Sequence, residues 1–362
     1  MKTCDVIVIG GGIIGLSLSI ALRKKGASVL VVERGEPGHE ASRAAGGMLV
    51  DCGVETPAAL QTLATASAAM YPEFARELQV ESGIDVDLRD YGTILFLSSL
   101  FLSSSATNAD VGTRLSGDRM AQLEPSLIAG DRPAVYLQER SIDPRALTAA
   151  AWKTAKNRGV DFSSGNEVVA VNLSDDRVTG VTTTKTGFLS PKVVNCAGAW
   201  GGSIGPYAIP TRPVKGQMLC LAMHPRDLLK HVVRSPDVYL IPRSDGRLLI
   251  GATVEEAGFD KRTDAATIKR LYQAALALLP KLADSRILED WAGLRPGTPD
   301  GLPILGATAT PGYYVATGHF RDGILLAPIT AKIMAEVVNG KNSGYDLKAF
   351  SASRFSQPTV AT

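Results

Sequence analysis

Three kinds of residue in this chain carry recognisable chemistry. The first is Gly10-Gly11-Gly12-Ile13-Ile14-Gly15, a Gly-x-Gly-x-x-Gly set between a β-branched run and a helical pattern. The first glycine permits a tight turn, the second lets backbone approach a pyrophosphate, and the third allows close packing of helix on strand. The helix N-terminus adds partial positive charge. The second is Glu33, 18 residues after Gly15 at the end of the next β-rich run. A carboxylate there accepts from ribose hydroxyls and disfavours a 2′-phosphate, so FAD or NAD is expected, and the motif alone does not separate them. The third is Arg295, between Leu294 and Pro296 in an apolar, turn-rich stretch. A guanidinium offers a bidentate fork to a carboxylate, so Arg295 is a candidate for holding a ligand carboxylate; taken alone, such an arginine is more often in a structural ion pair.

Other chemistries lack their residues. Cys4, Cys52, Cys196 and Cys220 form no Cys-x-x-Cys, and His39, His224, His231 and His319 form no His-x-His or His-Glu-x-x-His pattern. No structural metal is expected, and the cysteine spacing suits a reducing compartment. Lys and Arg total 38 against 36 Asp and Glu, and the net +2 is spread without a basic block, so no nucleic-acid or anionic-membrane partner is expected. The apolar stretch from Val6 to Leu22 is interrupted by Gly10, Gly11, Gly12 and Gly15 and followed by Arg23-Lys24-Lys25, unlike a signal peptide or a membrane span. A soluble cytoplasmic protein is expected.

The frame for these residues follows from length and periodicity. At 362 residues the chain has room for about two domains at roughly 150 residues each, with 45% hydrophobic and 20% charged residues and 36 glycines. Residues 5–9 and 28–33 read as buried parallel strands flanking a helix over 13–25 that Gly26 stops, a βαβ unit. An Ala-rich helix or helix pair follows over 56–82. Short β-rich runs at 94–97, 134–137, 168–173, 217–222, 239–242 and 247–253 suggest an antiparallel sheet inserted into the nucleotide fold. Leu-Phe-Leu-Ser-Ser occurs in tandem at 95–99 and 100–104, which predicts a strand and then a Ser-rich loop reaching about Gly117. Helical patterns return at 144–158, 264–279 and 324–338, and strand patterns at 192–196 and 313–317. The expected fold is α/β, with a Rossmann-like dinucleotide-binding (FAD or NAD) domain over 1–83, 143–211 and 291–362. A discontinuous antiparallel-sheet substrate domain is expected over 84–142 and 212–290.

Glu36 to Leu49, with Ser42-Arg-Ala-Ala45-Gly46-Gly47-Met48, is a small-residue stretch suited to backbone packing along an extended cofactor. Here the chain resembles the D-amino-acid oxidase family of flavoproteins and its glycine oxidase branch. Trp291-Ala-Gly-Leu-Arg-Pro-Gly-Thr-Pro-Asp-Gly-Leu-Pro-Ile-Leu-Gly306 and Thr317-Gly-His-Phe-Arg-Asp-Gly-Ile-Leu-Leu-Ala-Pro328 look like that branch's signature segments, so the resemblance covers nearly the whole chain. It implies noncovalent FAD and oxidation of a small amine or amino acid, glycine first, to the imine. Hydride passes from the α-carbon to flavin N5, oxygen is reduced to peroxide, and the product serves thiamine thiazole synthesis. Such chemistry needs no nucleophile or metal, because protein groups only orient and stabilise.

By the same resemblance, Arg295 falls on the substrate-carboxylate arginine, Tyr239 is the second carboxylate ligand and Arg321 lies near flavin and substrate amine. The implied cofactor contacts are Gly10, Gly12, Ile13, Ile14, Gly15, Glu33, Arg34, Ser42, Ala45, Gly46, Gly47, Met48, Val168, Ala197, Gly198 and Trp200. Arg295, His319, Phe320, Arg321, Asp322, Gly323 and Ile324 complete the set, with the N–H groups of 318–323 available to a reduced flavin's negative charge. His319 is expected to be structural. Two departures bear on substrate range: Gly47 before Met48, and the irregular Ser-rich region over 98–110. Alternatives are a D-amino-acid or D-proline-type dehydrogenase using a non-oxygen acceptor, and a noncatalytic binding protein of the FAD fold. A homo-oligomer is the expected assembly.

Overall fold

The computed structural model describes residues 3–51, 56–97, 112–206 and 208–355. Val6–Ile9 is buried along its whole length and pairs in parallel with Val29–Val32 on one side and Val193–Asn195 on the other. A strand covered on both faces has no polar side to alternate, which is why the run is uniformly β-branched. The full six-stranded order is Ile304–Ala307, Tyr313–Thr317, Val193–Asn195, Val6–Ile9, Val29–Val32, Asp161–Ser163, with only the first pair antiparallel. The helix Ile13–Lys24 and the closing helix Gly323–Val338 share the core beneath this sheet, where Leu16, Leu18 and Leu22 meet Leu325, Ile329 and Ile333. Each fully buried Leu or Ile contributes about 1.5–3 kcal/mol.

Helix boundaries follow capping chemistry. Asp143 accepts from the Arg145 and Ala146 N–H groups at 2.8 and 3.3 Å, with Pro144 in the first position of Pro144–Asn157. Asp264 accepts from Thr267 N–H at 2.8 Å to start Ala265–Leu278. The expected helix or helix pair over 56–82 is one helix, Gln61–Ser82, preceded by a single 3-10 turn and closed by Gly83 at φ 70°.

The second layer is an eight-stranded sheet ordered Arg286–Gly297, Arg212–Ala222, Arg247–Gly251, Tyr239–Pro242, Val232–Arg234, Thr93–Phe96, Ala134–Leu137, Thr113–Leu115. It differs from the purely antiparallel expectation at one seam, because Val232–Arg234 runs parallel to Thr93–Phe96. That seam joins strands from two separate stretches of chain, which meet without a hairpin to impose antiparallel pairing. One face packs on Ala265–Leu278 through Leu219, Leu240, Leu248, Ile250 and Leu271. The opposite face carries Met218, Tyr239, Ile241 and Trp291 toward the nucleotide layer. The expected domain boundary at 290/291 falls inside the strand Arg286–Gly297.

Two further expectations are corrected. Val168–Ser174 is not in the large sheet but forms a separate three-stranded antiparallel sheet with Arg177–Thr183 and Gly187–Leu189. Its short turn at Asp175-Asp176, both at positive φ, closes a local hairpin, and local pairing wins over a distant partner. The predicted loop reaching Gly117 contains the strand Thr113–Leu115 and is followed by the helix Gly117–Leu123, capped by Ser116. The first tandem copy supplies Leu95 and Phe96 to a strand, whereas the second, at 100–104, lies outside the described residues. Among the described residues no helix is long and apolar enough to cross a membrane.

Candidate active site

Between the two sheets lies a cavity of about 640 Å³. Its floor at one end is the glycine turn. Gly10 sits at φ 102°, and a Cβ there would come within 2.6 Å of the Cys196 carbonyl oxygen, so the two parallel strands close on each other only because the position is bare. The helix that follows begins at Gly12 without a side-chain cap of its own, and Ser42 Oγ accepts from Ile13 N–H at 2.9 Å. Glu33 is buried, with Oε2 accepting from Gly11 N–H at 2.7 Å and Oε1 from Gly35 N–H at 2.8 Å. The carboxylate therefore shapes the turn, and each oxygen retains acceptor capacity for a ribose hydroxyl.

At the other end, Arg295 is held over a strand that has made room for it. A Cβ on Gly216 would fall 2.6 Å from Arg295 Cζ, so the guanidinium lies where a side chain would stand. Arg295 Nη1 donates to the Thr253 and Lys215 carbonyls at 3.0 and 3.3 Å, and these bonds leave the rest of the fork for another acceptor. Tyr239 neighbours it. Burial pushes the Tyr239 hydroxyl above its ordinary pKa while the Arg295 charge pulls it back, so it remains a neutral donor in the physiological range. Burial likewise pulls Arg295 below its ordinary value, with Tyr239 opposing and the Arg321 charge adding.

The loop joining Thr317 to Gly323 holds the third side. Gly318 is at φ 75° and Phe320 at φ 46°, and Phe320 N–H donates to the Pro296 carbonyl at 3.0 Å, which ties this loop to the Arg295 strand. Arg321 lies over the Phe320 ring at 5.2 Å. His319 is buried, its Nε2 3.1 Å from Thr330 Oγ1, and burial pushes its pKa down to about 3. It is neutral at any working pH, in keeping with a structural part.

Of the residues assigned from the sequence to cofactor or substrate, all but Gly15 line this one cavity, as do His319–Gly323 of the loop, while Gly11 and Gly318 do not. Gly15 lies behind it, where a Cβ would collide with the Gly10 carbonyl oxygen, and it serves helix-on-strand packing. Met48 packs with Tyr239, Trp291 and Met218. Sequence reasoning missed Gly216 and Arg243. A glycine in mid-strand signals a close approach, and that sign was present at Lys215-Gly216-Gln217. Arg243 is fully buried and donates through Nη2 to the Gly46 carbonyl at 2.5 Å, while its Nε and Nη1 find no partner among the described residues. Desolvation lowers its pKa to about 10, so it stays charged beneath the Gly46-Gly47 segment. Nothing in an alternating strand pattern distinguishes it from a surface arginine.

A glycine turn at a helix start, a buried ribose-type carboxylate and a cavity running to a guanidinium define a dinucleotide-dependent oxidoreductase. The chain matches the model of the FAD dependent oxidoreductase family over residues 5–337, and it belongs to that family, with FAD as its cofactor. It is 34% identical to a glycine oxidase of Pseudomonas aeruginosa, over 93% of this chain and 95% of that one. It is 33% identical to a bifunctional protein ThiO/ThiG of Trichormus variabilis over 99% of this chain, and spans 56% of that relative's length. The crystal structure of glycine oxidase from Geobacillus kaustophilus superposes with a TM-score of 0.92 at 31% identity, covering 98% of this chain and 99% of that one.

Proposed function

We propose that this protein is an FAD-dependent oxidase of glycine and similarly small amines. The observation that carries the reading is the Arg295 guanidinium seated over Gly216 beside the Tyr239 hydroxyl, at the far end of a cavity that begins in a dinucleotide turn. The similarity to glycine oxidases over more than nine-tenths of the chain supports the choice of glycine. Noncovalent FAD would be held by Gly10, Gly12, Ser42 and Glu33 at its nucleotide side and by the Gly318 to Gly323 loop at its ring side, and it supplies a two-electron acceptor. The protein groups then have simple tasks. Arg295 and Tyr239 bind the carboxylate, which orients the α-carbon, and Arg321 lies near the amine and disfavours its protonated form. Neutral His319 adds no charge.

The overall reaction converts glycine and oxygen to the imine and hydrogen peroxide; water then gives glyoxylate and ammonia. The imine would feed thiazole formation for thiamine. We read residues 1–83, 143–211 and 291–362 as the cofactor-binding domain and 84–142 with 212–290 as the substrate domain, with the strand Arg286–Gly297 crossing from one to the other and carrying Arg295 on the eight-stranded sheet. The protein would act in the cytoplasm, as the free, buried Cys4, Cys196 and Cys220 suit. Ile287 and Leu288, exposed on an edge strand, suit association with further copies. Peroxide and glyoxylate released in equal amounts from glycine under air test the reading. Glycine oxidation that proceeds only with an added quinone acceptor would replace it by the dehydrogenase alternative.

A further inference from the structure

The segment after the strand Arg247–Gly251 leaves the eight-stranded sheet and returns to it. Both of its feet stand on the strand Arg212–Ala222. At the first foot, Thr253 Oγ1 accepts from Gln217 N–H at 2.9 Å, and Glu255 and Lys215 exchange backbone hydrogen bonds at 2.9 Å each. At the second, Asp264 N–H donates to Gln217 Oε1 at 2.7 Å. Between the feet the chain reaches the nucleotide layer. Phe259 stacks on Trp200, rings 5.2 Å apart and 28° from parallel, and Lys261 Nζ pairs with Glu40 at 3.1 Å.

These two landing points are joined to each other on the cavity side. Arg34, the residue after Glu33, lies 3.5 Å over the Trp200 ring and pairs with Glu40 at 2.7 Å. Arg34, Glu40, Trp200 and Val254 all line the cavity, whereas Phe259 remains 50% exposed and Lys261 lies outside it. A guanidinium between an aromatic face and a carboxylate is held by both, and Phe259 and Lys261 buttress those two groups from behind. Because Glu33 marks the ribose end of the site, this wall stands on the adenosine side.

We infer that residues 254–261 form a strap that retains FAD, with Phe259 and Lys261 as positioning residues acting through Trp200, Glu40 and Arg34 on the adenosine half of the cofactor. Arg295's carbonyl partner Thr253 belongs to the anchored foot and not to the tip that carries Phe259 and Lys261. The inference rests on FAD as the resident cofactor and not on the identity of the substrate.

The test is the rate of FAD release from diluted holoenzyme, followed by the rise in flavin fluorescence with no substrate present, so the substrate assignment can fail without affecting it. Phe259→Ala is expected to speed release about tenfold and Lys261→Gln about threefold, while Phe259→Trp stays within about twofold of the parent. The KM for glycine at saturating FAD is expected to be unchanged in all three. Release from Phe259→Ala at the parent rate overturns the inference. So does equally fast release from Phe259→Trp, because a ring at that position would then be irrelevant.

Discussion

At the scale of single residues, the site depends on charges that cannot move far. Arg295 is tied by Nη1 to two backbone carbonyls, so its position is set before substrate arrives, and little ordering remains to be done on binding. Arg295→Leu is predicted to raise the KM for glycine about 100-fold, as loss of a charge-assisted bidentate pair should. Tyr239→Phe removes one neutral donor and should raise KM about tenfold, read from peroxide production at varied glycine. His319 makes a separate prediction about acid. Its folded pKa of about 3 lies below the ordinary value of 6.5, so the unfolded chain binds the extra proton. Stability from this group is complete above about pH 6.5 and is lost as pH falls toward 3, amounting to about 2 kcal/mol at pH 5. Urea unfolding at several pH values checks this: His319→Gln should show a shallower acid slope than the parent, and an unchanged slope would remove His319 from the account.

At the scale of elements, glycines decide how closely strands, helices and side chains meet. Gly15→Ala would drive a Cβ into the backbone carbonyl of Gly10, and neither helix nor strand can yield cheaply. A destabilisation of about 2–3 kcal/mol is expected by urea unfolding. Gly216→Ala is a different case, since the nearest atoms to its Cβ all belong to the Arg295 guanidinium, which is displaced at the cost of its two carbonyl bonds where backbone would not yield. Here the melting temperature should hold while the glycine KM rises toward that of Arg295→Leu. The same contrast explains what was legible in the sequence. Val6–Ile9, Ile13–Lys24 and Val29–Val32 could be read because β-branched runs, periodicity and the glycine turn are local signals. The capped helices after Asp143 and Asp264 were equally plain. The membership of Val168–Ser174 in its own small sheet was not, because strand runs do not state their partners. The seat of Arg295 over Gly216 was hidden for a related reason: the two meet diagonally through the register of two long strands, in which Arg295 stands opposite Val214 and Gly216 opposite Gly293.

At the scale of the whole molecule, two sheets built from interleaved stretches of chain enclose a cavity, and each supplies half of what the proposed reaction needs. The parallel layer brings the glycine turn, Glu33 and the 318–323 loop, while the eight-stranded layer brings Tyr239, Gly216 and Arg295. A cofactor lying between them ties the layers together, so FAD is expected to raise the melting temperature in a concentration-dependent way, as any ligand of the folded state does. The account's central claim is that this shared cavity passes electrons from a small amine held by Arg295 to the bound flavin. Mixing the purified yellow holoenzyme anaerobically with glycine, sarcosine or D-alanine and recording the flavin absorbance near 450 nm, its ordinary visible band, tests the claim most directly. The account predicts bleaching with glycine, its loss in Arg295→Leu at the same glycine concentration, and recovery of colour when air is admitted. A flavin that stays oxidised with all three amines would contradict it.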